Sequence, residues 1–166
     1  MDYFSDAFLR FLFVMQIGIV FSAILLVFHC RIKKFRHISD VTRIAIMSMF
    51  SVLFITLICN YFYVNCKILV AIDSVSIVAC CAIYCKVFKL NFIEYFDILS
   101  PSYASISTFL ILAVNLFLHS FSINQVILYI CLFAAMLFIT FKINRKGVNT
   151  IFMILAYSIS YFLTVF

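Results

Sequence analysis

The stretch FLFVMQIGIVFSAILLVFHC, residues 11–30, decides the fold, because it runs for twenty residues without an Asp, Glu, Lys or Arg. A helix of about 20 apolar residues is long enough to cross the hydrocarbon core of a bilayer. The whole chain has the same character: 67% of its 166 residues are hydrophobic, 11% are charged, and the mean hydropathy is +1.25. Because this composition leaves too little polar surface to cover a water-soluble domain, we expect the fold to be surrounded by lipid.

Further apolar blocks follow, separated by short charged or turn-forming segments. They predict an all-α integral membrane protein, a compact polytopic bundle of about six transmembrane helices. The predicted spans lie near residues 9–30, 44–64, 68–85, 103–122, 126–141 and 148–166. The fifth block is short and the third can be shifted along the sequence, so four or five spans are alternatives. No internal repeat or Pro/Gly-rich linker divides the chain, which we interpret as a single transmembrane domain, residues 1–166.

The distribution of basic residues predicts the orientation, since Lys and Arg in short loops are retained in the cytoplasm. With the amino terminus outside, ten of the twelve Lys and Arg residues fall on the cytoplasmic side. They are Arg31, Lys33, Lys34, Arg36, Arg43, Lys86, Lys89, Lys142, Arg145 and Lys146. The opposite topology inverts this ratio. We therefore expect both termini outside, and a location in the bacterial inner membrane.

The first predicted cytoplasmic loop, RIKKFRHISDVTR at residues 31–43, has a high density of positive charge. Its bases are Arg31, Lys33, Lys34, Arg36 and Arg43. Insertion bias alone accounts for the sign of this charge. A more specific interpretation is that the loop binds anionic lipid headgroups, at about 1 kcal/mol per base, or an acidic protein partner. So short a loop does not favour nucleic-acid binding, which needs several phosphate contacts on a formed surface.

Asp73 places a carboxylate inside the third predicted span, LVAIDSVSIVACCAIYC at residues 69–85. Its position in that helix is about 7–8 Å below the outer end of the span. The same count brings four further polar side chains to the outer half of the bundle. These are Gln16, Asn60, Asn115 and His119, which together with Asp73 we call the outer polar layer. An intramembrane carboxylate is costly and normally faces a partner inside the bundle, and His119 is our candidate partner for Asp73.

Two interpretations of the outer polar layer remain open. In the first, its side chains hydrogen-bond across helices and fix their packing, at about 0.6–2 kcal/mol per contact. In the second, Asp73 and His119 bind or relay a proton or cation, since imidazole titrates near neutral pH. His29, at the opposite end of the first span, is too far away to continue such a relay. We therefore favour the structural interpretation.

The seven cysteines form no recognisable redox or metal motif. CxxC is absent, and Cys81 and Cys85 lie one turn apart on a single predicted helix, which suits neither a disulfide nor a closed metal site. We interpret the cysteines as small apolar residues and expect no metal and no cofactor. The two glycines of the chain are too few for glycine-rich catalytic or nucleotide-binding motifs.

An acidic pair, Glu94 and Asp97, lies in the segment LNFIEYFDILS at residues 90–100. Their spacing puts both on one face of a helical turn and predicts an interfacial turn or a docking surface.

In its length, six-span layout and basic loop after the first helix, the chain resembles the small prepilin peptidases. That family uses one aspartate ahead of a basic segment and one in a Gly-x-Gly-Asp motif. HCRIKKFRHISD has no acid ahead of its bases and Asp97 lacks both glycines, so the resemblance implies no catalytic residue here.

Local signals predict further details of the helices. The segment SPSYAS predicts a helix start with Ser100 as its cap and Pro101 in the first turn. Small residues at four-residue spacing predict close approaches between helices, namely Gly18 with Ser22, Ser76 with Cys80, and Cys131 with Ala135. Because the chain has no Trp, tyrosines are expected to lie at the membrane interface. On the cytoplasmic side these are Tyr84, Tyr95 and Tyr103.

These observations lead to two hypotheses of different classes. The first is a non-enzymatic multi-pass subunit of an oligomeric assembly, whose partners are membrane lipids, further copies of the chain and a protein recruited by the basic cytoplasmic loops. Bacterial immunity, antiviral (phage) defence or secretion suits such a subunit by association. The second is a proton- or cation-linked channel or transporter that uses Asp73 and His119. The scarcity of Gly and Pro argues against the broken helices that transporters need.

Overall fold

The computed structural model describes residues 2–61, 66–118, 122–143 and 145–165. Within these ranges all regular structure is helical, in six elements. They are α1 (Asp2–Ile32), α2 (Ile38–Tyr61), α3 (Cys66–Val87), α4 (Phe92–Leu118), α5 (Ile123–Lys142) and α6 (Val148–Val165). The all-helical fold is therefore confirmed.

Three described segments are long and apolar enough to cross a membrane, namely Leu9–Ile32, Phe92–Leu116 and Ile123–Lys142. Shorter apolar segments lie in α3 and α6, at Val75–Val87 and Val148–Ser160. The fold is compatible with a membrane bundle on this basis. Six spans, and the placement of both termini outside, stay predictions.

Helix α4 forms the centre of the bundle, packing against α1, α3, α5 and α6 and more briefly against α2. It is buried along most of its length although it is rich in hydroxyl side chains. The buried hydroxyl residues are Ser100, Ser102, Ser105, Ser107 and Thr108. Small hydroxyl side chains allow helices to approach closely in lipid and can bond to their own backbone. In lipid a polar helix therefore belongs inside, while apolar faces such as those of α1 and α5 are exposed.

Helix α4 begins earlier than the sequence predicted, because Pro101 lies inside it. The prediction of a helix start at Ser100 is wrong. The start lies instead at Asn91, whose side-chain oxygen accepts a hydrogen bond from the Ile93 amide at 3.1 Å, as a helix-capping residue does. Residues 92–100, which the sequence analysis placed before the helix, therefore belong to α4 and extend it toward the basic loops.

The close approach predicted from Gly18 and Ser22 is confirmed at the contact between α1 and α4. A Cβ atom at Gly18 would lie 2.6 Å from the Cβ of Phe109, closer than atoms can pack. One turn further along α1, the Ser102 hydroxyl donates to the Ser22 carbonyl at 3.0 Å. Over this stretch, side chains of α4 therefore pack directly against the backbone of α1.

The three tyrosines expected at the cytoplasmic interface lie inside the bundle, so that prediction is wrong. Tyr84, Tyr95 and Tyr103 are buried, with exposures of 4%, 4% and 2%. Two of the hydroxyls have partners there: Tyr103 with Ser48 at 2.9 Å and Tyr84 with Asp40 at 3.3 Å. A tyrosine can be buried at low cost when its hydroxyl finds such a partner.

The turns after α1 and α3 have the same backbone hydrogen bonds and a lysine at the same position. In HCRIKKF (29–35) and YCKVFKL (84–90), Lys34 and Lys89 have positive φ angles of 50° and 54°. The amide three residues past each helix donates back to a buried cysteine carbonyl, at 2.9 Å from Phe35 to Cys30 and 2.8 Å from Leu90 to Cys85. This is the Schellman ending of a helix. The two turns are a short local repeat that the sequence analysis missed, and they fix the direction of both loops.

Substitution of Gly18 by Ala should destabilise the bundle by about 1–3 kcal/mol, the usual cost of overpacking a close contact. The added methyl must displace Phe109 or push α1 away from α4. Val20→Ile adds one methyl to the exposed face of the same helix and serves as the control. Unfolding of the purified variants in a denaturing-detergent titration, followed by circular dichroism, measures the difference. Equal stability of the two variants would show that the close contact is absent.

Candidate functional site

The first turns of α4 gather three loops at one end of the bundle. The ring of Phe35, in the loop after α1, lies 5.1 Å from the ring of Tyr95. Lys146, in the loop before α6, pairs with Glu94 at 3.4 Å. The loop after α3 leads directly into α4. We call this region the basic end and define it as residues 31–43, 86–97, 142–143 and 145–150.

The basic end contains the ten bases that the sequence analysis assigned to one side. The structure places the five predicted loop residues here, Arg31, Lys33, Lys34, Arg36 and Arg43, with Lys86, Lys89, Lys142, Arg145 and Lys146. Nine of the ten are exposed, and Lys33 is half-buried. Three acids accompany them: Asp40, Glu94 and Asp97. Positive charge therefore dominates this surface.

The acids of the basic end are engaged in local contacts. Asp40 lies 3.7 Å from Arg43 and 3.9 Å from His37, and Glu94 pairs with Lys146. Because exposed ion pairs contribute only about 0–1 kcal/mol, these contacts orient side chains more than they stabilise the fold. They also reduce the negative potential that an approaching acidic group would meet.

Asp97 is not part of an exposed acidic turn with Glu94, which corrects that prediction. It is 5% exposed, and its carboxylate accepts hydrogen bonds from the amides of Asn149 at 2.9 Å and Thr150 at 3.3 Å. These amides belong to the first turn of α6, where backbone N–H groups lack intrahelical partners and the helix dipole favours a negative charge. Asp97 is thus a cap for α6 supplied by α4.

Pro101 explains why the Asn149 side chain of α6 reaches the Asp97 carbonyl. A proline has no amide to bond to the carbonyl four residues earlier, which here belongs to Asp97. The side-chain amide of Asn149 donates to this carbonyl at 3.4 Å. Nδ1 of His29 donates to the Ile98 carbonyl at 3.1 Å, which keeps its own helical donor. Neighbouring helices can restore the hydrogen bonds that a proline removes in a membrane helix.

His29 and Asn149 extend this arrangement into a buried polar cluster. Both side chains are 2% exposed, and the Thr140 hydroxyl of α5 donates to the Asn149 side-chain oxygen at 3.4 Å. Since Nδ1 of His29 carries the donated hydrogen, Nε2 is left as an acceptor, and it is buried without a hydrogen-bond partner among the described residues. The cluster joins α1, α4, α5 and α6 at the basic end.

The outer polar layer lies largely outside what the structure describes. His119 is outside the described residues, and so are the side chains of Asp73 and Asn60, although these two positions belong to α3 and α2. Gln16 is exposed on α1 and Asn115 is half-buried on α4. The pairing of Asp73 with His119, and the channel or transporter that it would serve, therefore stay predictions.

Five cysteines are free thiols, namely Cys30, Cys80, Cys81, Cys85 and Cys131. Cys30, Cys81 and Cys85 are buried, whereas Cys131 is exposed on α5. In the described ranges, no three His, Cys, Asp or Glu residues are grouped so that they could hold a metal ion.

Comparisons of the chain with protein-family models, with curated proteins and with solved structures find no match. The function therefore has to be inferred from the geometry of the basic end.

Replacement of Asp97 by Ala should cost about 1–3 kcal/mol of stability, because it leaves two buried amides of α6 without an acceptor. Glu94→Ala removes a carboxylate three residues away that forms an exposed pair, and should cost at most about 1 kcal/mol. Detergent-titration unfolding of both variants measures the difference. If the Glu94 variant lost as much stability as the Asp97 variant, Asp97 would have no special role as the cap of α6.

Proposed function

We propose that the chain is a non-enzymatic, multi-pass subunit of an oligomeric membrane assembly, and that its basic end recruits an acidic protein partner from the cytoplasm. The observation that supports this most strongly is that three separate loops carry their exposed bases to one end of a bundle and are anchored on the same helix start. Complementary charge of this kind speeds encounter and selects among partners.

The basic end is held in a defined shape before any partner arrives. Schellman endings fix the loops after α1 and α3, and Asp97 fixes the start of α6. Phe35 anchors the first loop on Tyr95, which is buried. Because ordering flexible loops on binding reduces affinity, a surface whose backbone is already fixed favours recruitment.

The remaining parts of the proposal concern placement and assembly. Retention of basic loops in the cytoplasm supports a bacterial inner-membrane location with the basic end inside and both termini outside. Large apolar side chains on the exposed faces of α1 and α5 offer contact area to lipid or to further copies of the chain. A role in bacterial immunity, antiviral defence or secretion would suit such a subunit by association.

The recruitment proposal predicts that one exposed base from each loop contributes to partner binding. The test variant combines Lys34→Gln, Lys89→Gln and Arg145→Gln, and its control combines Lys34→Arg, Lys89→Arg and Arg145→Lys, which keep the charge. At about 0.5–1 kcal/mol per exposed pair, the test variant should bind roughly tenfold or more weakly. Quantitative mass spectrometry of the native complex, purified in mild detergent, measures the loss.

Higher salt should mimic the test variant, because salt screens exposed charges. Topology mapping of each variant shows whether insertion is intact, since these bases also set orientation. Unchanged co-purification of the partner with a correctly inserted test variant would exclude the basic end as the recruitment surface.

A further inference from the structure

A narrow groove opens on the side of the bundle between α1 and α2. It forms because α1 packs along α4 whereas α2 packs along α3, so the two helices face each other across a gap. The described residues that line it are Met15, Ile19, Ser48, Met49, Val52, Ile77, Tyr103 and Ile106. The space enclosed is about 40 Å³, enough for about three water-sized groups at 10–15 Å³ each.

The described lining of the groove suits an apolar occupant. Its two hydroxyls are bonded already: Ser48 donates to the Ile44 carbonyl at 2.8 Å, and the Tyr103 hydroxyl donates to Ser48 at 2.9 Å. The other lining side chains are aliphatic or Met. A buried water needs two to four polar partners, which these residues do not offer. Inside a membrane, the apolar group at hand to fill such a groove is a lipid acyl chain.

The groove lies at the depth that acyl chains reach from the basic end. Met49 is eleven residues from the start of α2 at Ile38, and Ile19 is thirteen residues from the end of α1 at Ile32. These separations correspond to about 16–20 Å along the helices. Half of the hydrocarbon core of a bilayer measures about 15 Å. A lipid whose headgroup lies at the basic end would therefore bring its tail to the groove.

The loop that joins α1 to α2 supplies positive charge on the same side of the bundle. Phe35 packs against the core, while Lys34 and Arg36 on either side of it are exposed. The backbone at Lys34 is fixed by the turn, where it has a positive φ angle of 50°. Arginine and lysine together suit a phosphate group, the first through its planar fork and the second as a point charge.

We propose that the loop and the groove together form a binding site for an anionic phospholipid, with its phosphate on Lys34 and Arg36 and one acyl chain between α1 and α2. The site goes beyond partner recruitment and shares only Lys34 with the bases that test it. The space of about 40 Å³ takes only a few methylene groups of that acyl chain, and the rest of the chain lies along the exposed sides of α1 and α2.

The absence of Trp from the chain allows a direct test with single-tryptophan reporters. Phe50→Trp is the groove reporter, because Phe50 is exposed on α2 next to the groove-lining Met49 and its replacement does not fill the groove. Ile130→Trp is the control, because Ile130 is exposed on α5, twelve residues before its end at Lys142, and so lies at a similar depth. Both full-length variants are placed in phosphatidylcholine vesicles that contain a small fraction of phosphatidylglycerol with brominated acyl chains, which quench Trp fluorescence on contact.

The proposal expects the groove reporter to be quenched at lower phosphatidylglycerol content than the control reporter. Brominated phosphatidylcholine should quench the two reporters alike. Adding Lys34→Gln and Arg36→Gln to the groove reporter should weaken the response about 30-fold, at about 1 kcal/mol per base. The charge-keeping pair Lys34→Arg and Arg36→Lys should leave the response in place.

Equal quenching of both reporters by phosphatidylglycerol would overturn the proposal, and so would a groove response that does not distinguish phosphatidylglycerol from phosphatidylcholine. If circular dichroism shows that Phe50→Trp disturbs the fold, Val20→Trp, at an exposed position of α1 next to the groove-lining Ile19, replaces it. Val52→Phe, which fills the groove away from the loops, separates this site from partner recruitment. It should abolish the selective quenching and leave co-purification of the partner unchanged.

Discussion

The bundle depends on how the Asp97 carbonyl, which loses its helical donor to Pro101, is hydrogen-bonded in the buried part of α4. In lipid every backbone polar group has to be satisfied within the protein, and Pro101 withdraws one amide from the central helix. Asn149 of α6 donates to the Asp97 carbonyl, and His29 of α1 donates to the Ile98 carbonyl. The Asp97 carboxylate in turn accepts hydrogen bonds from two backbone amides in the first turn of α6. These hydrogen bonds join α1, α4 and α6 at the same height in the bundle.

This constraint connects the core of the bundle to its charged surface. The turn of α4 that carries Asp97 is also the turn on which Phe35 and Lys146 are anchored, through Tyr95 and Glu94. The bases of the basic end consequently project from loops whose ends are fixed by buried hydrogen bonds. A fixed array of positive charge above apolar helices suits two kinds of acidic ligand, a soluble protein at the loops and a phospholipid beside α1 and α2.

The sequence predicted those features that depend on local pattern. The lengths of the apolar blocks predicted the helices, the loop charges predicted the basic end, and the spacing of Gly18 and Ser22 predicted a contact that the structure confirms. The start of α4 was missed because Ser100 followed by Pro101 is also typical of a helix start. Asp97 was assigned to an exposed turn because its spacing from Glu94 is local, whereas its partners lie 52 and 53 residues away. The serines of α4 lower its mean hydropathy below that of α1 and α5, and the structure buries them at the centre of the bundle.

The central claim is that all three basic loops lie at one end of the bundle, on one face of the membrane. Labelling of Lys34, Lys89 and Lys146 with a membrane-impermeant amine reagent tests it directly, in sealed vesicles of known orientation followed by peptide mass spectrometry. Reaction of all three lysines from the same side, and protection of all three from the other, is the result that the structure predicts. Reaction of any one of them from the opposite side would contradict the shared basic end and, with it, the proposed recruitment surface.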